Sequence, residues 1–356
     1  MNKTVITVST IAAALLSFVA TTVLAHDSSA LDKAAAPPET QATDYPLTVT
    51  NCGQTVTFEA APERTVTVGQ SATEILYALG LGDRVVGTSV WFSAVLPQFK
   101  EVNDDIERLA DNVPSFESVV NKKPGLVAAQ YESQVGPQGN LSSREQFHEL
   151  GVPTYVMPAD CDTKDNTTGG DGTRTASFST ESIYKGIAEL AAIFDVQERG
   201  TGLIAELKAR EAEAIELAQS LALPEMSAVF WFSSAEMDID PYVAGRKGAP
   251  GYMMDKLGIE NVIQSDEEWP TVGWESIARA DPTVIVIAEM DRRRYPADAV
   301  EKKLEFLNTD PVAREMRAVR EDRIIVMDAH AMSATMRSIF GLETLAEALA
   351  GFDFPE

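Results

Sequence analysis

The chain of 356 residues is poor in basic residues, histidine and cysteine, and each shortage excludes a class of function. Its 29 Lys and Arg residues face 54 Asp and Glu residues, and the net charge of −25 argues against a nucleic-acid partner, because phosphate binding needs a basic surplus. Carriers of bare zinc or manganese use several His and carboxylate ligands, whereas this chain has three histidines. It has no Walker A sequence and no His-Glu-x-x-His motif, so we expect neither a metal site nor an enzyme.

Only two cysteines occur, Cys52 and Cys161. A single pair in an exported protein usually forms a disulfide. The alternative is a thiolate metal site, which has no support from a Cys-x-x-Cys motif or from a histidine nearby in the sequence. We therefore predict a disulfide between Cys52 and Cys161.

The first residues have the pattern of an export signal. Residues 1–25 combine Lys3, an apolar core from Ile11 to Ala20 and the cleavage site Val23-Leu24-Ala25, as in a secretory signal peptide. The apolar run is shorter than the ~20 residues of a membrane span. Residues 26–44 are rich in Ala, Pro, Ser and acidic residues, which predicts a flexible tether. Because no Cys follows the signal closely, we expect a periplasmic protein without a lipid anchor.

A short phrase occurs twice in the chain. Residues 116–128 read Phe-Glu-Ser-Val-Val-Asn-Lys-Lys-Pro-Gly-Leu-Val-Ala, and residues 274–286 read Trp-Glu-Ser-Ile-Ala-Arg-Ala-Asp-Pro-Thr-Val-Ile-Val. In each copy a Pro lies seven positions after the Glu and an apolar strand follows. The copies are 158 residues apart (275 minus 117), which is the size of a lobe and not of a solenoid repeat. Two similar lobes predict a cleft between them, where small ligands commonly bind.

Strands alternate with helices in both halves, which predicts an α/β fold of two Rossmann-like lobes with parallel sheets. We assign residues 45–179 to the N-terminal lobe and residues 224–356 to the C-terminal lobe. Residues 180–223 form a stretch with helical spacing of apolar residues. We predict that they form a long rigid helix connecting the lobes, which Gly200 and Gly202 break or bend.

Several segments, taken in order, resemble the substrate-binding proteins of ABC importers, in the helical-backbone class that delivers ferric siderophores, haem or cobalamin. The segment from Pro62 to Gly80 resembles that family's first strand and helix, and Leu81 to Gly87 follows as in the family. Leu150 to Val156 resembles the end of the first lobe, and Trp269-Pro270 with the second copy of the phrase resembles the second lobe. The turn around Cys52 and the loop at Cys161 are less general and suggest a subfamily with its own disulfide.

This resemblance covers about residues 45–350 and implies a function. The protein would be a monomer without a cofactor that captures an iron chelate, a ferric siderophore first, and delivers it to an importer permease. Haem and cobalamin are the alternative ligands within the class. An exported enzyme or an adhesin on the same two-lobed scaffold is the alternative from another class, since a fold does not determine function.

In this family one surface glutamate of each lobe docks onto arginines of the permease. The matching positions are Glu117 and Glu275, the glutamates of the repeated phrase. Two carboxylates at equivalent places on two lobes suit a partner with two-fold symmetry. The alternative is that each one only interacts favourably with the dipole of its own helix.

Ligand groups in such folds lie beyond the carboxyl ends of the strands. The predicted ligand-binding residues are Ser71, Thr73, Trp91, Phe92, Tyr131, Arg246, Trp269, Arg292, Arg293, Arg294 and His330. The first two begin a helix, where they either bind an anion or cap the helix. The arginines have planar donor groups that suit chelate oxygens and stack on aromatic rings, or they form a solvated turn. His330 is either a haem ligand or an ordinary hydrogen-bonded residue. Together they predict a cleft for a large, anionic iron chelate.

Overall fold

A computed structural model describes the protein in residues 42–137, 139–168, 171–221 and 223–354. The predicted signal peptide and most of the predicted tether lie outside these residues. Within them, no helix combines the length and the apolar character needed to cross a membrane. The described residues after the tether form two α/β lobes, as the sequence predicts.

The N-terminal lobe is built on a five-stranded parallel sheet with the order β5-β4-β3-β6-β7. Its central strands β3 and β6 are buried along their whole length, as is typical of a parallel sheet. The strands of the sheet are β3 (Thr65–Val68), β4 (Val85–Ser89), β5 (Arg108–Ala110), β6 (Leu126–Ala129) and β7 (Thr154–Val156). Two hairpins accompany it, β1 (Leu47–Asn51) with β2 (Gln54–Phe58), and β8 (Lys164–Asp165) with β9 (Thr173–Arg174). The helices are α1 (Gln70–Ala78), α2 (Lys100–Asp104), α3 (Phe116–Val120), α4 (Glu132–Val135) and α5 (Arg144–Glu149).

The C-terminal lobe repeats this plan. Its sheet has the order β11-β10-β13-β14, and β12 also pairs with β10. The strands are β10 (Met226–Ser233), β11 (Tyr242–Val243), β12 (Ile259–Asn261), β13 (Val284–Glu289) and β14 (Ile324–Asp328). The helices are α8 (Ala249–Leu257), α9 (Trp274–Ala280), α10 (Val300–Thr309), α11 (Arg317–Arg320) and α12 (Arg337–Gly351). The short β11 is antiparallel to β10, a departure from the parallel pairing that the sequence predicts.

Two helices, and not one continuous helix, connect the lobes: α6 (Glu181–Ile193) and α7 (Gln197–Ser220). The break lies at Asp195, whose φ of 58° ends α6, and not at the glycines that the sequence suggested. Gly200 lies inside α7, where a Cβ atom would come within 2.5 Å of the Ala191 side chain. Glycine therefore lets α7 lie close against α6. The apolar face of α6 belongs to the core of the N-terminal lobe, and α7 packs on α12.

Candidate ligand-binding site

A cavity of about 830 Å³ lies between the two lobes, within the range of sites for small molecules. The N-terminal lobe lines it with residues that follow β4, β6 and β7, including Phe92 and Tyr131. The C-terminal lobe lines it with the last residues of β10, including Phe232, and with residues that follow β13, including Arg292. The cavity thus lies beyond the carboxyl ends of the strands, where ligands bind in parallel α/β folds.

Aromatic side chains from both lobes meet along one wall. The ring of Phe92 lies 6.3 Å from that of Phe232, and Phe232 lies 4.8 Å from Trp269, measured between centroids. Phe92 is brought there by an unusual backbone. Val90 has a φ of 59°, a conformation that β-branched residues rarely adopt and that is found most often at functional sites.

Arg292 connects the lobes at this wall. Its guanidinium lies 4.8 Å from the Phe92 centroid and 5.9 Å from that of Phe232, which are cation–π distances. The backbone N–H groups of Asp291 and Arg292 both donate to the Phe92 carbonyl, at 2.9 and 3.0 Å. The cation is therefore fixed between the lobes and faces the cavity.

A buried carboxylate orients this arginine. Asp298 is fully buried and accepts hydrogen bonds from Ser233 Oγ at 2.6 Å and from Arg292 Nε at 3.3 Å. Although burial opposes its ionisation, these hydrogen bonds and the arginine charge lower the pKa of Asp298 below its ordinary value. The backbone N–H of Arg294 donates to the same carboxylate at 2.8 Å. Asp298 thereby organises the whole arginine loop.

Two further predicted residues, Arg294 and Tyr131, line the cavity from opposite lobes. Arg294 lines the cavity and lies 5.0 Å from the ring of Tyr295. Tyr131 lines the cavity from the opposite lobe, and burial raises the pKa of its phenol. The phenol therefore remains protonated and can donate a hydrogen bond to a ligand oxygen.

The lining is balanced in charge, which the sequence analysis missed. Four carboxylates lie in it beside four cationic side chains: Asp160, Asp171, Glu267, Glu268, Lys164, Arg174, Arg292 and Arg294. Asp160 is paired with Lys164 at 2.7 Å, and Glu268 with Arg174 at 2.6 Å. The lining therefore has no excess of positive charge, although the sequence drew attention to its arginines and not to its carboxylates. The carboxylates come from loops whose positions depend on contacts between distant parts of the chain.

Three of the predicted residues lie outside the lining because the protein itself occupies their polar groups. The Ser71 N–H at the start of α1 donates to Gln130 Oε1 at 2.9 Å. Thr73 Oγ1 lies 2.7 Å from Thr67 Oγ1. The buried Trp91 donates from its indole to Thr88 at 3.1 Å. The N-terminus of α1 is the anion site that the sequence suggests. One of its N–H groups is already bonded to the side chain of Gln130, which follows β6.

Three more predicted residues do not line the cavity. Arg246 pairs with Asp266 at 2.6 Å. Arg293 turns back and donates to the backbone carbonyl of Arg292 at 2.9 Å. His330 is 1% exposed and stacks behind Phe92 at 6.0 Å; burial holds its pKa well below the ordinary value. The described residues contain no group of three or more His, Cys, Asp or Glu side chains placed to hold a metal ion.

The glutamates of the repeated phrase occupy equivalent places. Glu117 lies in the first turn of α3 and Glu275 in the first turn of α9, and both are exposed. Each helix directly precedes a central strand of its lobe, β6 or β13. The repetition seen in the sequence is therefore also a repetition in space.

Two α/β lobes with a cavity at their strand ends define a bilobal ligand-binding protein. The chain belongs to the periplasmic binding protein family, whose model matches residues 66–331. Its relatives are substrate-binding proteins of transporters and not enzymes.

Three proteins illustrate this relationship. The chain is 26% identical to an uncharacterised ABC transporter substrate-binding lipoprotein, YvrC, of Bacillus subtilis, over 88% of both chains. It is 25% identical to a vitamin B12-binding protein of Pectobacterium atrosepticum, over 64% of this chain and 72% of that protein. The crystal structure of an ABC-type Fe3+-hydroxamate transport system from Saccharomonospora viridis superposes with a TM-score of 0.67 and 26% identity, over 86% of this chain and 99% of the other.

Proposed function

We propose that this protein captures a ferric siderophore in the cavity between its lobes and delivers it to the permease of an ABC importer. The observation that carries the proposal is Arg292, a cation in the cavity lining that lies against Phe92 of one lobe and Phe232 of the other. Arginine donors suit the oxygens of a chelate, and the rings suit its apolar backbone. The iron would be cargo and not a cofactor.

The charge balance of the lining favours a chelate of low net charge. Three hydroxamate groups neutralise ferric iron, whereas three catecholate groups leave a strongly anionic complex. A lining in which four carboxylates balance four cationic side chains has no excess positive charge to compensate the anionic complex. The similarity to the Fe3+-hydroxamate transport protein supports the same choice. We therefore propose a ferric hydroxamate as the ligand.

Cobalamin is a second candidate, with haem as the other macrocycle of the class. The aromatic wall of Phe92, Phe232 and Trp269 would pack against a planar ring as well as against a siderophore. The similarity to a vitamin B12-binding protein supports this alternative.

The delivery step assigns the protein a location and a partner. As a binding protein of an importer it would act in the periplasm, and its exposed Glu117 and Glu275 would contact the permease. The similarity to a substrate-binding lipoprotein of an ABC transporter supports this assignment.

Tryptophan fluorescence tests the ligand. Of the four tryptophans, Trp269 lines the cavity and the other three lie outside its lining. We expect saturable quenching at submicromolar concentration by a ferric hydroxamate, and weaker or no quenching by ferric catecholates, ferric carboxylates, haem and cobalamin. In the control variant Trp269→Phe the quenching should shrink while calorimetry still detects binding. If no member of this panel binds, the proposed function is wrong.

A further inference from the structure

One segment forms a side wall of the cavity and touches both lobes. We call it the strap and define it as residues 161–168 and 171–178, which contain β8 and β9. These two strands pair antiparallel, and the Thr175 N–H donates to the Thr163 carbonyl at 2.9 Å. Five of its residues line the cavity: Lys164, Asn166, Asp171, Gly172 and Arg174.

At one end the strap is attached to the N-terminal lobe. Cys161 forms a disulfide with Cys52, in the turn between β1 and β2. That turn is itself fixed, because Asn51 exchanges hydrogen bonds of 2.7 and 2.8 Å with the backbone of Val156 in β7. The buried Arg144 also donates to the Asn51 carbonyl at 2.9 Å. The disulfide therefore connects the strap to a rigid part of the lobe.

At the other end the strap is attached to the C-terminal lobe. The Arg174 N–H donates to the Asp266 carbonyl at 3.0 Å, and the Glu268 N–H donates to the Gly172 carbonyl at 3.0 Å. The side chains of Arg174 and Glu268 form an ion pair in which both are more than 90% buried. Phe178 adds a further backbone bond of 2.8 Å to Lys247. The strap thus bridges the lobes beside the ligand cavity.

We propose that the Cys52–Cys161 disulfide is a positioning device for the ligand site: it holds the strap in the place where Lys164, Asn166 and Arg174 form the cavity wall and where Arg174 ties the lobes together. The ligand part of this inference rests on the proposed function, whereas the tie between the lobes does not. Without the disulfide, the wall would be held at its N-terminal end by hydrogen bonds around Asp160 and Asn166 and by the ion pairs Lys164–Asp160 and Lys185–Asp162. Such bonds open far more often than a covalent link.

Hydrogen exchange of the whole protein tests the tie without any ligand. In the Cys52→Ala/Cys161→Ala variant we expect the amides of Arg174, Thr175 and Glu268 to exchange at least about 10-fold faster than in the wild type. The matched control is Leu345→Ala, which opens a cavity in the C-terminal core and lowers stability without contacting the strap. Unchanged strap exchange in the cysteine variant, or equal acceleration in the control, would overturn the proposal.

A second measurement, of ligand dissociation, tests whether the disulfide positions the cavity wall. If the cysteine variant does not fold, the folded wild-type protein is reduced and alkylated, and the same amides are measured. A ferric trihydroxamate is then the probe, and its dissociation rate should rise about 10-fold when the disulfide is absent. Faster exchange with unchanged dissociation would overturn the positioning role. If the wild type binds no such probe, the proposed ligand is wrong, and the exchange result still decides the tie.

Discussion

At the scale of single residues, Arg292 is the side chain on which binding should depend most. Arg292→Gln alone would leave Asp298 buried and unpaired, so the informative variant is Arg292→Gln/Asp298→Asn, which removes both charges. We expect chelate affinity to fall about 10- to 100-fold, the value of one charge-assisted hydrogen bond of about 1.5–3 kcal/mol. Fluorescence titration measures this. Arg293→Gln is the control, because Arg293 lies outside the lining; an equal loss in the control would contradict the assignment.

Lys303 is a buried amine behind this arginine loop. Its Nζ donates to the Ala288 carbonyl at 2.6 Å, and the side chain has no exposed surface. Burial lowers the pKa of Lys303 to about 7; the charge of Asp298 opposes this effect, whereas those of Arg292 and Arg293 add to it. The protein therefore holds an amine that loses its proton on folding near neutral pH.

This shift predicts a pH dependence of stability. Between about pH 7 and about pH 10 the unfolded chain keeps the Lys303 proton and the folded chain does not, so the free energy of unfolding rises with pH, by up to about 1.4 kcal/mol per unit. At lower pH both states are protonated and the buried charge destabilises the fold. We expect Lys303→Met to stabilise the protein at about pH 6 and to flatten the slope in urea unfolding. Lys302→Met, at an exposed position, is the control; equal slopes in wild type and Lys303→Met would contradict the prediction.

The sequence locates part of the site because the end of a strand is a local feature. Phe92, Tyr131 and Arg292 follow apolar strands directly, and all three line the cavity. Ser71 has the same local signal, but the Gln130 side chain, 59 residues away, occupies its N–H. Asp160 follows β7 and shares this signal, but the strap residues do not, because their place depends on a disulfide and on the opposite lobe.

At the scale of secondary-structure elements, α1 and α12 are joined across the lobes by a buried ion pair. Arg337 Nε donates to Glu74 at 2.8 Å, and its Nη1 to Asp328 at 2.9 Å. Glu74 is fully buried and Arg337 is 5% exposed. Removing one partner of such a pair leaves an uncompensated charge.

We therefore expect Arg337→Met to lower the free energy of unfolding by about 3–5 kcal/mol, and Glu74→Gln/Arg337→Met to recover part of this loss. Urea unfolding of Glu74→Gln, Arg337→Met and the double variant measures the coupling between the two side chains. Lys100→Met, which breaks an exposed ion pair with Asp104, should cost less than about 1 kcal/mol. Additive effects of the Glu74 and Arg337 changes would show that the pair does not couple the helices.

The order of these elements is also largely predictable from the sequence. The repeated phrase predicts two lobes, and each copy folds as a short helix before a central strand, α3 before β6 and α9 before β13. The connector is harder to predict, since helical spacing is continuous across residues 180–223. The position of the break, at Asp195, is set by tertiary packing, because α6 packs on the N-terminal lobe and α7 packs on α12.

At the scale of the whole molecule, the duplicated lobes present two exposed carboxylates, Glu117 and Glu275, at equivalent positions. Neither lines the cavity, so ligand capture and permease docking should be separable. The two functions can then be lost independently by substitutions on different surfaces.

We expect Glu117→Ala/Glu275→Ala to leave chelate affinity unchanged in fluorescence titration and to abolish uptake of the iron-loaded chelate by cells that carry the importer. The reason is that surface charges govern encounter with a partner, whereas the ligand contacts only the lining. Glu145→Ala/Glu301→Ala removes the same charge from one exposed position of each lobe and should preserve uptake. If the docking variant loses affinity as well as uptake, the two positions do not act in docking alone. If the control loses uptake equally, the permease recognises general acidity and not these two positions.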